Sequence, residues 1–211
     1  PSVKTVLEVD LVRYLTPPKS WIVPLIRPKN PASHSAVVKS FNSELARHSG
    51  DKLTFTDGTA DRVAAFFHTG GTTGMPKVAQ HKASGMVYNG WLGARLLFRE
   101  TDVVMCPLPL FHVFGHNANF WLPLVVGMTN ITAANPLEYK NIPQYTRTHK
   151  ATLIAGTPIF FAGYLRESKP GDFATCRVIL AGADKTPAWL REGYQQKHQV
   201  DLLEAYGTTE T

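Results

Sequence analysis

The chain has 211 residues, 44% hydrophobic and 18% charged, a balance that fits a globular protein and excludes a disordered one. Its formal charge is +6 and its pI ≈ 9.4, but the Lys and Arg residues are scattered. Without basic blocks or alternating aromatic and basic residues, no nucleic-acid partner is expected.

No apolar run reaches the length of a membrane span, and the amino end lacks the apolar core of a signal peptide. No transmembrane segment is therefore expected. Cys106 and Cys176 lie in apolar runs, without a CxxC pair or an HExxH motif. They read as buried free thiols of a reducing compartment, which places the protein in the cytoplasm with peripheral membrane association left open. The chain starts at Pro1 without Met and stops at Thr211 inside a motif, so a fragment of a longer protein is expected.

In chain order, Val3–Val9 is a short β-like run. Thr16–Ser35 carries five prolines and reads as a surface connector anchored by Trp21, Ile22 and Leu25. Ala36–His48 has helical spacing at Val37, Phe41 and Leu45, closed by Gly50. Arg62–Phe67 is an apolar strand that runs into a loop, His68–Val78, with three glycines, three threonines and a lysine. Lys77–His81 reads as the next strand and Lys82–Phe98 as a helix. Further strands are expected at Val103–Cys106, Met128–Thr132, Ala151–Ala155, Arg177–Ala181 and Leu202–Ala205, with helices between them. Three helix starts are expected at Asn135-Pro136, Thr157-Pro158 and Thr186-Pro187, where a capping side chain precedes a proline.

Strands alternating with helices predict an α/β fold, with a mainly parallel sheet flanked by helices. Residues 1–61 read as connector and peripheral elements, and residues 62–211 as the core that carries the chemistry.

Gly70, Gly71 and Gly74 allow backbone N–H groups to converge, because no Cβ blocks close approach. Thr69, Thr72 and Thr73 add hydroxyl donors, and Lys77 adds a positive charge. This is suited to polyphosphate oxygens, although a plain Gly/Thr surface turn has the same composition. It is not a Walker A loop, in which Lys directly follows Gly and a helix comes next. Here Met75 and Pro76 intervene, and Pro76 biases Met75 toward extended backbone.

Ligands of an open parallel sheet bind beyond the carboxyl ends of its strands. Those ends carry Pro107–Gly115, Gly156-Thr157-Pro158, Gly182-Ala183-Asp184-Lys185 and Tyr206-Gly207-Thr208-Thr209-Glu210.

With these motifs the sequence resembles the adenylate-forming (AMP-binding) superfamily of acyl-CoA and acyl-carrier-protein synthetases, luciferases and peptide-synthetase adenylation domains. Thr69 through Lys77 follow that family's phosphate-loop pattern, and Val78 stands where the family has glycine. Tyr206–Glu210 matches its Y-G-x-T-E motif. Pro109-Leu110-Phe111-His112 is similar to the Pro-Leu-Phe-His of its fatty-acyl members.

The resemblance implies an AMP-forming ligase. A carboxylate is converted with ATP and Mg²⁺ to acyl-AMP and pyrophosphate, and the acyl group then passes to coenzyme A or a phosphopantetheine carrier. An acyl carrier protein is accordingly a candidate partner. In this reading Thr69, Gly70, Gly71, Thr72, Thr73, Gly74 and Lys77 hold the β- and γ-phosphates. Glu210 binds Mg²⁺, Thr209 reaches the α-phosphate, and Tyr206 stacks on adenine beside Gly207 and Thr208. Gly182, Ala183 and Asp184 form the wall on the other face of the base. Read alone, Tyr206 is equally a core-edge aromatic, Glu210 a surface acid, Gly182-Ala183 a tight turn and Asp184 a helix cap.

Peptide-synthetase relatives place Asp where His112 stands here, so an α-amino acid is not expected. Phe111, Val113, Phe114, Phe120, Trp121, Phe160 and Phe161 suggest an apolar acyl pocket for a fatty or hydrophobic carboxylate. His112 is the candidate gate to that pocket, or a satisfied structural histidine; His116 reads as structural. The family's ribose-binding Asp and catalytic Lys lie downstream of Y-G-x-T-E, so residues 1–211 alone are expected to adenylate little. A module that binds ATP or AMP without catalysis is the competing reading.

Overall fold

In the computed structural model the described residues are 5–9, 15, 17–26, 37–52, 58–59, 61–69, 74 and 77–210. They fall in two compact units, Pro1–Asp57 and Gly58–Thr211.

The first unit holds β1 (Thr5–Glu8), α1 (Lys19–Ile26), β2 (Val37–Ser40) and α2 (Phe41–Arg47), with β1 and β2 paired in parallel. The expected helix over Ala36–His48 divides at Ser40. Val37 and Val38 are β-branched and fit a strand, and Ser40 then caps α2 by accepting from the Ser43 amide at 3.5 Å. The proline-rich stretch is not all connector, because Lys19–Ile26 is helical around Pro24. Trp21 (69% exposed), Ile22 and Leu25 (85% exposed) do not anchor it. Residues 16 and 27–35 of that stretch lie outside the described residues.

The second unit opens with an antiparallel hairpin, β3 (Val63–Thr69) and β4 (Lys77–Lys82), and continues into α3 (Ala83–Leu96). Five parallel strands follow: β5 (Val103–Cys106), β6 (Thr129–Thr132), β7 (Leu153–Gly156), β8 (Val178–Ala181) and β9 (Leu202–Glu204). Their spatial order is β6-β5-β7-β8-β9. Between them lie α4 (Val113–Gly115), a π-helical turn His116–Trp121, α5 (Leu122–Val126), α6 (Asn141–Thr148), α7 (Pro158–Glu167) and α8 (Ala188–His198). The parallel sheet is as expected, and each central strand falls within two residues of its predicted bounds.

Strands covered on both faces need apolar side chains throughout. All four residues of β7 are buried, as are Val104, Met105 and Cys106 of β5. One core face gathers Met105, Ile154, Phe161, Tyr164, Phe173, Ile179 and Tyr194. The other gathers Val104, Cys106, Leu122, Leu153 and Val178. Both cysteines are free and buried, and burial pushes each thiol up to about 12.

The cap-and-proline starts are corrected in mechanism. Thr157 does occupy the cap of α7, but its hydroxyl makes no capping bond. Pro187 itself is the cap residue of α8, and the Thr186 amide goes to the Glu204 carboxylate at 2.9 Å. Asn135 accepts from the Leu137 amide at 3.0 Å in a local turn, and α6 starts only at Asn141. Short Asn side chains bond to nearby backbone as readily in turns as at helix caps.

At the amino edge of the sheet, Asp102 is 2% exposed. Its carboxylate accepts from Thr152 Oγ1 (2.7 Å), Arg177 Nε (2.9 Å) and the Arg99 amide (2.8 Å), and is also bonded by Arg177 Nη2. Asp102, Thr152 and Arg177 directly precede β5, β7 and β8, so one carboxylate ties three strands. Burial pushes this carboxyl up, but the bonds from Arg177, Thr152 and Arg99 outweigh it and the pKa falls below its ordinary 3.8. The tie is therefore fully present above pH 3.8 and lost as pH drops through the lowered value. Removing one partner of a buried pair strands the other. In urea unfolding at pH 7, Asp102→Ala is expected to cost about 3 kcal/mol, with the difference from wild type shrinking as pH falls below 3.8. Equal midpoints at pH 7 would contradict this role.

Candidate functional site

The strand order β6-β5-β7-β8-β9 has a direction change at β5. From β5 the chain crosses to β6 on one side, while from β7 it proceeds to β8 and β9 on the other. The crevice beyond the carboxyl ends of β5 and β7 is then the topological switch point, where open α/β sheets place ligands. The loops leaving β5, β8 and β9 at that edge carry most of the sequence motifs.

After β8, the Gly182 amide donates to the carbonyl of Gly156, the last residue of β7 (3.0 Å), which extends the ladder one residue past β8. A Cβ on Gly182 would sit 3.1 Å from Phe114 Cζ and 3.4 Å from the Ala205 carbonyl. The segment after β5 thus closes against the segments after β8 and β9, and glycine permits it. Ala183 follows with φ +70°, a left-handed conformation that L residues other than Gly, Asn and Asp seldom adopt. Asp184 accepts from the Lys185 amide at 2.7 Å and so stabilises its own turn. Beyond β9 the Ala205 amide donates to Ala181 (2.7 Å). The Tyr206 ring is then 95% exposed, free of the core packing that an edge aromatic could have had. Gly207, Thr208 and Glu210 are exposed and Thr209 is half-buried.

The hairpin sets a second wall by register. Thr69 pairs with Lys77, Phe67 with Ala79 and Ala65 with His81. Paired residues share a face of a strand pair. Thr69 and Lys77 therefore stand on the same face as Phe67 and His81, and that face includes the buried Phe67. Val78 pairs with His68 on the other face and is 47% exposed. A β-branched residue suits this regular strand position, which calls for no glycine conformation. The two strands are joined by residues 70–76, as expected of a loop between strands. Of these only Gly74, exposed, belongs to the described residues, so Gly70, Gly71, Thr72 and Thr73 lie outside them.

Three motif-bearing segments meet through two histidines. His81 Nε2 lies 2.7 Å from the Thr209 carbonyl. Phe67 packs edge-on against His81 (centroids 5.4 Å) and against His116 (5.1 Å). His116 in turn bonds the Leu110 carbonyl through Nδ1 (3.3 Å), and its amide takes the His112 carbonyl (2.8 Å). His116 is structural, as expected. His112 is exposed and accepts from the Phe114 amide through Nδ1 at 3.2 Å, capping α4. The turn there is tight, since a Cβ on Gly115 would come within 2.2 Å of the Pro109 carbonyl oxygen.

The expected apolar pocket loses two members. Phe161 is fully buried against Tyr164 and Tyr194, and Phe160 packs on the same core. The helical period of α7 turns them to the sheet. Phe111 is 85% exposed beside His112. Two surface hollows of about 370 and 480 Å³ lie along 137–141 with Glu167 and along α8 with Asp201–Leu203. They include none of the predicted site residues.

His81 is the main contributor that sequence reading passed over. Its signal was available in the alternation Lys77, Ala79, His81, which puts an imidazole on the same face as the lysine.

A five-stranded parallel sheet whose switch-point edge carries glycine turns and an exposed tyrosine defines an open-sheet α/β protein. Comparison with known proteins makes the class specific. The model of the AMP-binding enzyme family matches residues 18–211, and the chain belongs to that family. It is similar to the long-chain-fatty-acid–CoA ligase of Bacillus subtilis, at 26% identity over 99% of this chain and 39% of that protein. A human mitochondrial medium-chain acyl-CoA ligase is 32% identical over 67% of this chain and 24% of its own length. The fold matches that of the o-succinylbenzoate–coenzyme A synthetase of B. subtilis solved with ATP and magnesium. That likeness has a TM-score of 0.74 at 22% identity and covers 98% of this chain and 40% of the other. The chain thus spans about a quarter to two fifths of the length of these relatives.

Proposed function

We propose that this chain forms the nucleotide- and acyl-handling part of an AMP-forming acid–thiol ligase that activates a hydrophobic carboxylic acid. The observation that carries the reading is the convergence at one sheet edge. The Thr69/Lys77 face of the hairpin and the Tyr206–Glu210 segment are joined by the His81–Thr209 bond of 2.7 Å. The family match and the acyl-CoA ligases among its relatives support the same reaction.

In the first step a carboxylate oxygen attacks the α-phosphorus of ATP. The bond from that phosphorus to the bridging oxygen breaks, and pyrophosphate leaves with the electron pair. In the second step a thiolate sulfur attacks the acyl carbonyl carbon, the bond to AMP breaks, and AMP leaves. Coenzyme A is the thiol that the relatives' names support; a carrier-protein phosphopantetheine is the other acceptor of the same chemistry. Phosphoryl chemistry asks the protein mainly for position and charge stabilisation.

Lys77 would supply fixed positive charge opposite the β- and γ-phosphates, with Thr69, Thr72 and Thr73 and the amides of Gly70, Gly71 and Gly74 as neutral donors. Tyr206, exposed and unpacked, would stack on adenine. The thin wall at Gly182-Ala183 would bound the other face of the base, and Thr209 would reach the α-phosphate. His112 would gate the acyl side.

Magnesium prefers carboxylate oxygen, yet is commonly held by one or two carboxylates with substrate phosphates and water as the other ligands. Glu210 fits this pattern. It is exposed and, among the described residues, without an ion pair, and no cluster of three acidic or thiol/imidazole ligands exists there to form an all-protein cage. The ion would neutralise phosphate charge. Among the described residues no helix is long and apolar enough to cross a membrane.

Two measurements test this reading. In titration calorimetry with ATP and Mg²⁺, Lys77→Ala is expected to weaken binding by about 1.5–3 kcal/mol, the worth of a charge-assisted hydrogen bond. Equal affinity would remove Lys77 from the site. In a chain that carries the downstream region of the relatives, pyrophosphate exchange into ATP should be driven by apolar acids and not by α-amino acids. Exchange supported equally by an amino acid would contradict the assigned substrate class.

A further inference from the structure

We infer that His81 is a positioning residue of the nucleotide site, holding the Tyr206–Glu210 segment to the phosphate-side hairpin through its hydrogen bond to the Thr209 carbonyl. The inference rests on the adenylation reading above and gives a specific task to a side chain that no motif assigned.

The geometry carries it. A carbonyl oxygen can only accept, so the proton of this bond sits on His81 Nε2, and the contact of 2.7 Å is a short, direct bond. The two bonded residues are 128 positions apart in sequence. Among the described residues this bond ties the Thr209 backbone to the hairpin. Nearby, Tyr206 is 95% exposed and a Cβ on Gly207 would meet nothing within 4 Å.

The imidazole is itself held. It stands on β4 opposite Ala65 and is half-buried, and Phe67, 7% exposed, meets its ring at an interplanar angle of 76°. Phe67 also meets His116, whose ring and amide fix the backbone around Leu110 and His112. A displacement of His81 would therefore be felt by both strands of the hairpin. Because Lys77 lies on the same face of the same strand, the bond sets the separation between the charge on Lys77 and the groups at Thr209 and Glu210. A loop held through such a bond can be ordered for binding and can yield when the bond breaks, which suits a site that must release pyrophosphate and AMP in turn.

The test compares wild type with His81→Ala and His81→Gln, since glutamine keeps an amide N–H donor. Chymotryptic cleavage after Tyr206, followed by mass spectrometry, reads the freedom of the segment. Cleavage after the fully buried Tyr164 and Tyr194 reads global opening. Calorimetry with ATP and Mg²⁺ reads the site. Losing one hydrogen bond should speed cleavage after Tyr206 and weaken ATP binding by up to about tenfold each in His81→Ala. Cleavage after Tyr164 and Tyr194 should not change, and His81→Gln should restore both readouts to within about threefold. Unchanged cleavage after Tyr206 in His81→Ala would overturn the inference. So would cleavage after Tyr164 and Tyr194 rising in step, because His81 would then be a packing residue. If wild type itself binds no ATP, the adenylation reading fails, while the Tyr206 cleavage ratio still decides whether His81 is the tether.

Discussion

The carboxylate of Asp102 is bonded to the side chains of Thr152 and Arg177 at the amino edge of the sheet. Those three residues introduce β5, β7 and β8, the strands whose far ends carry the loops of the site. Parallel strands have no hairpin to fix their relative stagger, and each is tied to the next only by a long crossover. A shared, buried ion pair at the starting line is one way to set a common origin. Four residues later, β5 ends beside the His112 segment, and β8 ends beside Gly182. At Gly182 the packing is tight, since a Cβ there would lie 3.1 Å from Phe114 Cζ. The pair is thus connected to the site through the length of the strands, not through any direct contact.

The hairpin is a separate device attached to this frame. Its two strands are antiparallel and their alternation alone sorts chemistry from solvent. Thr69, Phe67, Lys77 and His81 share one face, while Phe66, His68 and Val78 share the other. Among the described residues the inner face meets the segments beyond the sheet through the aromatic edges of Phe67 and the His81–Thr209 bond. In the proposed site the sheet edge and the hairpin face form two walls, and polyphosphate would meet the Thr69/Lys77 face of the hairpin.

The strand ladder was legible because buried parallel strands leave continuous apolar runs, and β5 was read to the residue. The carboxyl edge was singled out because Gly156, Gly182 and the Tyr206-Gly207 turn follow three of those runs. Val37 and Val38 misled because two apolar residues fit a helical stripe as well as a strand, and only pairing with β1 decides. Trp21 and Leu25 looked like anchors because hydrophobicity implies burial on average, and their exposure is a matter of tertiary context. Phe161 followed a motif expected to line a pocket, but its place on α7 turns it into the core. Asp102 and Arg177 are 75 residues apart, so their pairing left no local pattern. The His81 bond was hidden for the same reason, although its face of the strand could be read. Val78, the one departure in the glycine loop, proves to be a strand residue on the exposed side.

The central claim is that ATP binds at the edge where the hairpin faces the segments after β8 and β9. Photolabelling with 8-azido-ATP and Mg²⁺, followed by peptide mapping, tests it most directly. The label should fall within 182–184 or 205–210 and be suppressed by unmodified ATP. A label on α6, α7 or α8, or one that ATP does not suppress, would contradict this account of the site.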